Sequence, residues 1–156
     1  MYTFKELLKY KLSESFSYKK ENIALLSDQS SQFLTKTISG FGIRKLFDFS
    51  IWEAPIDQID NQILNPKSKF KNNNFDTTIV FESSHSLLKK YNLTLNKQGF
   101  SEEQFVRLKN LIEELLRSNQ SKVILFNYYE LNDQVYGNFS PKNKSSFIYQ
   151  LRKLNF

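Results

Sequence analysis

The stretch NIALLSDQSSQFLTKTISGFG, residues 22–42, decides how the rest of the sequence is read. Four apolar residues, Ile23 to Leu26, run straight into a polar turn, Ser27-Asp28-Gln29-Ser30-Ser31. A segment with Phe33, Leu34 and Ile38 at helical spacing follows. A short unbroken apolar run suits a strand buried on both faces of a parallel sheet. Strand, turn and helix in that order open a βα unit. In α/β proteins ligands gather at such junctions, where strand ends and a helix N-terminus converge. Asp28 or Ser30 is expected to cap the helix, and Gly40 and Gly42 to end it.

The alternation continues in both directions. Upstream, Phe4, Leu7, Leu8, Leu12 and Phe16 predict an amphipathic helix over 3–16, within an N-terminal segment of residues 1–20. Downstream, KLFDFSIWEAP (45–55) alternates in the manner of a more exposed strand, and Pro55 opens a helix with Ile56, Ile59, Ile63 and Leu64 on one face. The polar run KSKFKNNN (67–74) is a loop by composition. TTIVFESS (77–84) and KVILFNYYE (122–130) read as two further buried strands. Between them, Leu87, Leu88 and Tyr91 mark a short helical piece. SEEQFVRLKNLIEELLRS (101–118) follows, with a capping box at Ser101 and Gln104 and a stripe including Phe105, Leu108, Leu111, Leu115 and Leu116. KSSFIYQLRKLNF (144–156) closes the chain as a helix. Strands alternating with helices imply parallel pairing and right-handed crossovers. The expected fold is a flavodoxin-like three-layer α/β sandwich over 21–156, with a parallel sheet of about four strands.

Composition removes several chemistries. The 156 residues contain no Cys and one His, His85, which excludes thiol chemistry and a His-built metal site. No apolar run approaches the ~20 residues of a membrane span. MYTFKELLKYKL at the start lacks a signal core, so a cytoplasmic protein with no membrane partner is expected. The net charge of +6 rests on 18 Lys and only 4 Arg, scattered from Lys5 to Lys153. Base readers lean on Arg for its bidentate geometry, so nucleic acid is not the expected partner.

In such a fold the working surface lies at the carboxyl ends of strands. Those ends supply Ser27, Asp28, Gln29 and Ser30 after the first strand, Glu53 after the second, Glu82, Ser83 and Ser84 after the third, and Asn127, Tyr128 and Glu130 after the fourth. These are candidate ligand or partner contacts. Glu53 and Glu82 are the residues to weigh as an acid/base pair, and His85 as a base or a helix-capping residue.

Three segments, NIALLSDQSSQFL (22–34), WEAPIDQIDNQILNPKS (52–68) and FNYYELNDQVYGNFSPKNKSSFIYQLRKLN (126–155), resemble the N-terminal region of FkbH-like proteins of the HAD-IIIC group. There an SGNH-hydrolase-like domain precedes a haloacid-dehalogenase (HAD) domain. Carried over by position, the nucleophile turn Gly-Asp-Ser of active SGNH enzymes becomes Ser27-Asp28-Gln29. Gln29 thus stands where the serine would be, and an amide cannot attack an ester. The oxyanion segment falls on Glu82-Ser83-Ser84-His85, without the asparagine donor, and no late Asp-x-x-His pair exists. No Asp-x-Asp of a HAD phosphatase is present either: Asp57 and Asp60 are three apart.

The resemblance therefore implies a catalytically silent domain, incomplete at its C-terminus, with no catalytic residue of its own. No cofactor is expected in it, since magnesium would belong to the HAD domain. Its expected role is to dock an acyl carrier protein or a HAD domain in the loading of a glyceryl unit. The alternative is an atypical hydrolase using Ser30 or Ser31.

Overall fold

A computed structural model describes residues 2–118, 121–131 and 135–155. Its elements run α1 (Phe4–Leu7), β1 (Lys19–Ser27), α2 (Gln32–Arg44), β2 (Phe47–Glu53), α3 (Ile59–Leu64), β3 (Thr77–Phe81), α4 (Ser84–Leu93), α5 (Phe100–Ser118), β4 (Lys122–Leu125), a 3-10 turn (Gly137–Lys142) and α6 (Phe147–Asn155). The four strands form one sheet in the order β2-β1-β3-β4, with every pair parallel. The α/β, flavodoxin-like architecture is as expected. No described helix is long and apolar enough to cross a membrane.

The strand patterns follow from position in the sheet. β1 is central and buried from Ile23 to Ser27, and its neighbour β3 is buried from Thr77 to Val80. On one face Ile23, Leu25 and Ile79 meet Leu34 and Ile38 of α2 and Phe49 and Ile51 of β2. On the other, Ala24, Leu26 and Val80 pack on Ile59 and Ile63 of α3, Leu111 and Leu115 of α5, and Phe70. A third cluster lies among α4, α5 and α6, where Leu87, Phe100, Leu108, Phe147 and Leu151 surround Tyr91 and Tyr128.

Several sequence expectations are corrected. The helix foreseen over 3–16 is only α1, capped by Thr3 and Glu6, and it buries Leu7 alone. Leu8, Leu12 and Phe16 are exposed, because a Ser-rich turn follows and none of the described residues covers their side. Gly40 and Gly42 do not end α2. They lie inside it, where a Cβ would stand 2.3 Å from the Leu7 carbonyl oxygen and 2.4 Å from the Phe49 ring, respectively. They are contact glycines, not stop signals.

Pro55 does not open α3. Asp57 takes a left-handed φ of 60°, which interrupts a right-handed helix, and α3 begins at Ile59 with Ile56 and Leu64 exposed. Ser101 lies inside α5, its N–H bound to Gln150 and its hydroxyl to Glu102, so no capping box forms; Phe105 and Leu116 face outward.

β4 is the largest departure. The run VILF has the composition of a buried strand, yet β4 is an edge strand paired only with β3 among the described residues. Ile124 and Phe126 are 47% and 40% exposed.

Candidate functional site

The carboxyl end of β1 is held by its own turn. Ser27 is buried and its Oγ accepts the Gln29 N–H at 3.2 Å, while the Gln29 and Ser30 side chains are exposed. Neither Asp28 nor Ser30 caps α2. Ser31 occupies the N-cap, and its hydroxyl bypasses the helix amides to donate to Glu53 Oε2 at 2.5 Å. Asp28 reaches across to the next strand, where its Oδ2 accepts both the backbone N–H (2.9 Å) and the hydroxyl (3.0 Å) of Ser83. Its Oδ1 is buried and accepts no hydrogen bond among the described residues. Ser83 in turn caps α4 by accepting the Ser86 N–H at 3.2 Å.

Glu82 is the electrostatic centre of the site. Arg107 from α5 donates to Glu82 Oε2 at 3.0 Å and grips Asp60 of α3 through two bonds of 2.5 and 2.8 Å. The Tyr128 hydroxyl donates to the same Glu82 oxygen at 2.5 Å, and Lys90 of α4 donates to the other. One carboxylate at the end of β3 thereby ties α3, α4, α5 and the segment after β4 together. Its side chain is only 3% exposed.

Burial pushes the Glu82 carboxyl upward, but the Arg107 charge and the bonds from Lys90 and Tyr128 outweigh it and hold the group below its ordinary value. Burial and the adjoining Glu82 push the Tyr128 phenol well up. Arg107 loses by burial, yet its bond to Asp60 and the charge of Glu82 raise it overall. Glu82, Arg107 and Tyr128 are each moved away from neutrality and keep one charge state there. A carboxylate already holding three donors is a poor general base.

Beside this cluster opens a cleft of about 310 Å³, lined by Asp28, Gln58, Asp60, Glu82, Lys90 and Arg107. A larger hollow of about 650 Å³, between Lys19, Asp76 and Lys122, lies at the amino ends of the strands, away from these groups. Asp60 and Glu82 both face the Arg107 guanidinium, so the cleft does not fit a magnesium ion, which takes oxygen ligands free of a competing cation. Among the described residues no three His, Asp or Glu converge as metal ligands.

The structure brings together Asp28, Glu82 and Ser83 of the residues named from sequence. Glu53 and Glu82 do not form a pair: they end β2 and β3, separated by β1, and bind different partners. Glu130 is exposed and bound to Arg152 of α6 by two bonds of 2.6 and 2.9 Å, a brace for that helix. Asn127 is exposed. His85, in the first turn of α4, shares a 2.7 Å hydrogen bond with the exposed Tyr129 hydroxyl and does not reach Ser30 or Ser31 through any bond. Tyr128, expected at the end of the fourth strand, joins Asp28, Glu82 and Ser83 through its bond to Glu82, and Arg107, Asp60 and Lys90 complete the cluster without having been assigned a role there. One signal was available: Arg107 is one of four arginines and sits beside the apolar stripe of α5.

The family description "FkbH, N-terminal domain" matches residues 22–156. The chain belongs to that family. This FkbH N-terminal domain is also similar to a solved structure, the N-terminal part of the protein BF1531 from Bacteroides fragilis, containing a phosphatase domain and complexed with Mg. The two are 35% identical with a TM-score of 0.88 over 99% of this chain. The match covers 41% of the other chain, so this FkbH N-terminal domain spans about two-fifths of its length. No curated protein matches.

Proposed function

We propose that this FkbH N-terminal domain is a non-catalytic docking unit. It engages a HAD phosphatase domain and presents a carrier protein to it during loading of a glyceryl unit. The observation that carries the reading is the edge of the sheet. Among the described residues β4 pairs only with β3, and it exposes Ile124, Leu125 and Phe126 beside its outer edge. An apolar strand edge is a ready template for another polypeptide. The neighbour in Bacteroides fragilis, where a matching domain accompanies a phosphatase domain, supports a phosphatase domain as that occupant. The locked charges around Glu82 and the exposed Gln29 at the nucleophile position support the absence of chemistry in the domain itself. Magnesium belongs, in this reading, to the phosphatase domain.

A second reading, an atypical hydrolase, is favoured by one contact, the 2.5 Å bond from Ser31 Oγ to Glu53. A carboxylate bonded directly to a serine, with no imidazole between them, orients the hydroxyl rather than activating it. The test measures both readings. The domain is titrated with a holo acyl carrier protein and with the phosphatase domain of the Bacteroides protein, and is assayed on short acyl nitrophenyl esters. Binding with no ester hydrolysis is expected. No binding of either partner, or hydrolysis abolished by Ser30→Ala or Ser31→Ala, would overturn the docking role.

A further inference from the structure

The outward face of α2 is aromatic and basic. Phe33 and Phe41 are 73% and 45% exposed and lie about two turns apart. Lys36 is exposed between them, and Arg44 and Lys45 follow at the end of the helix. Gln32–Arg44 contains no Asp or Glu. Leu34 and Ile38 pack on the sheet, and Phe41, seven residues after Leu34, borders that apolar side while Phe33 stands farther from it.

The N-terminal segment extends this face. The Phe4 ring stands edge-on to Phe33 at 5.4 Å between centroids. The Arg44 guanidinium lies 3.8 Å from the centre of the Tyr2 ring and donates to the Tyr10 hydroxyl at 2.7 Å. Lys45 lies over the Phe41 ring. Glu6 feels the Arg44 charge, but its carboxylate is engaged by the backbone N–H and hydroxyl of Thr3 in the cap of α1. Stacking thus holds Arg44 and Lys45 beside the exposed rings, and among the described residues neither forms an ion pair with a carboxylate.

We infer that this face docks an acidic protein presenting apolar side chains, with Phe33 and Phe41 as anchors and Lys36, Arg44 and Lys45 as guides. Exposed aromatics that enter pockets supply binding energy, and surrounding cations steer an acidic partner and reject a basic one. A second copy of the chain is disfavoured, because it would bring the same cations face to face. A bilayer fits less well, since Lys36 and Thr37 divide the two rings into separate knobs where an interfacial helix needs a continuous apolar strip. The inference rests on the docking function above and assigns the carrier-protein class of partner to α2, apart from the β4 edge.

The test titrates the intact chain with a holo acyl carrier protein at low and high salt. Salt-sensitive binding is expected, weakened at least about tenfold by Phe33→Ser. Lys36→Glu is expected to weaken it severalfold at low salt and less at high salt. Leu95→Ser, at a fully exposed leucine remote from α2 in sequence, serves as the control and leaves binding unchanged. Lys36 is exposed, so Lys36→Glu retains the thermal midpoint of the parent; Phe33→Ser also loses the Phe4 contact, so its binding is read well below its own midpoint. Binding equally tight in Phe33→Ser and Lys36→Glu would sink this surface and leave the docking function standing. No carrier binding at low salt would sink both. Binding to phosphatidylglycerol vesicles, lost in Phe33→Ser, in place of carrier binding would assign the face to membranes and overturn the inference.

Discussion

The Tyr128 hydroxyl and the Glu82 carboxylate meet at 2.5 Å, so the segment leaving β4 is bound to the end of β3 by a buried, charge-assisted hydrogen bond. Tyr128→Phe removes that bond while keeping the ring. It is expected to cost about 1.5–3 kcal/mol in urea unfolding, the range for hydrogen bonds to charged groups. Glu82→Gln should cost about 3 kcal/mol, the low end for breaking a buried ion pair, because Arg107 keeps Asp60. If Glu82→Gln proved neutral, the carboxylate would not be the tie described above.

The depressed Glu82 carboxyl fixes the sign of a pH effect. A carboxyl whose folded value lies below its unfolded 4.5 contributes stability that is fully present above 4.5. That contribution is lost as pH falls through the lower folded value. The stability gap between wild type and Glu82→Gln should therefore be widest near neutrality and close as pH drops below 4.5. Unfolding curves for both proteins across this range measure it, and a gap that widened in acid would contradict the assignment.

Gly40→Ala sets two effects against each other. An alanine in mid-helix gains about 1 kcal/mol over glycine from propensity alone. At this position, however, the new Cβ would stand 2.3 Å from the Leu7 carbonyl oxygen, which is backbone and cannot swing aside. The clash is expected to win, with a net loss of about 1–3 kcal/mol, typical of overpacking, or with α1 released from α2. Faster proteolysis near Leu7 together with a lowered thermal midpoint would register it.

The β4 edge should be tolerant where the core is not. Ile124→Lys alters an exposed side chain and is expected to change stability by less than about 0.5 kcal/mol. Leu115→Ala empties a fully buried site and should cost about 2–5 kcal/mol. Ile124→Lys should nevertheless reduce binding of the phosphatase domain, read by titration. A large stability loss in Ile124→Lys would mean that the edge is already covered.

Much of the fold was legible because it depended on local composition. Ile23–Leu26 is a continuous apolar run and Thr77–Val80 a run of β-branched residues, and both became buried strands next to each other. Val123–Phe126 carries the same signal and became an exposed edge, since an apolar run reports affinity for a covering and not whether one is present. Gly40 and Gly42 were misread as stops because the sequence does not reveal that Leu7 and Phe49 press against them. The candidate site was half legible. Asp28, Glu82 and Ser83 could be placed by their position at strand ends. Tyr128 was placed the same way, but its bond to Glu82 was not, and Arg107 comes from the middle of a helix: no periodicity links a carboxylate to donors so far along the sequence.

The central position of β1 has a consequence during synthesis. Ile23 pairs with Ile51 on one side and Thr77 on the other, so both neighbours of the first strand are made after it. A nascent chain therefore carries its most apolar strand with an unsatisfied side until Phe81 has left the ribosome. Parallel, non-local pairing of this kind forms slowly and leaves strand edges open to wrong partners. The interval between translation of Ser27 and of Phe81 is thus when the polypeptide is most exposed to aggregation, and when a chaperone would have most to hold.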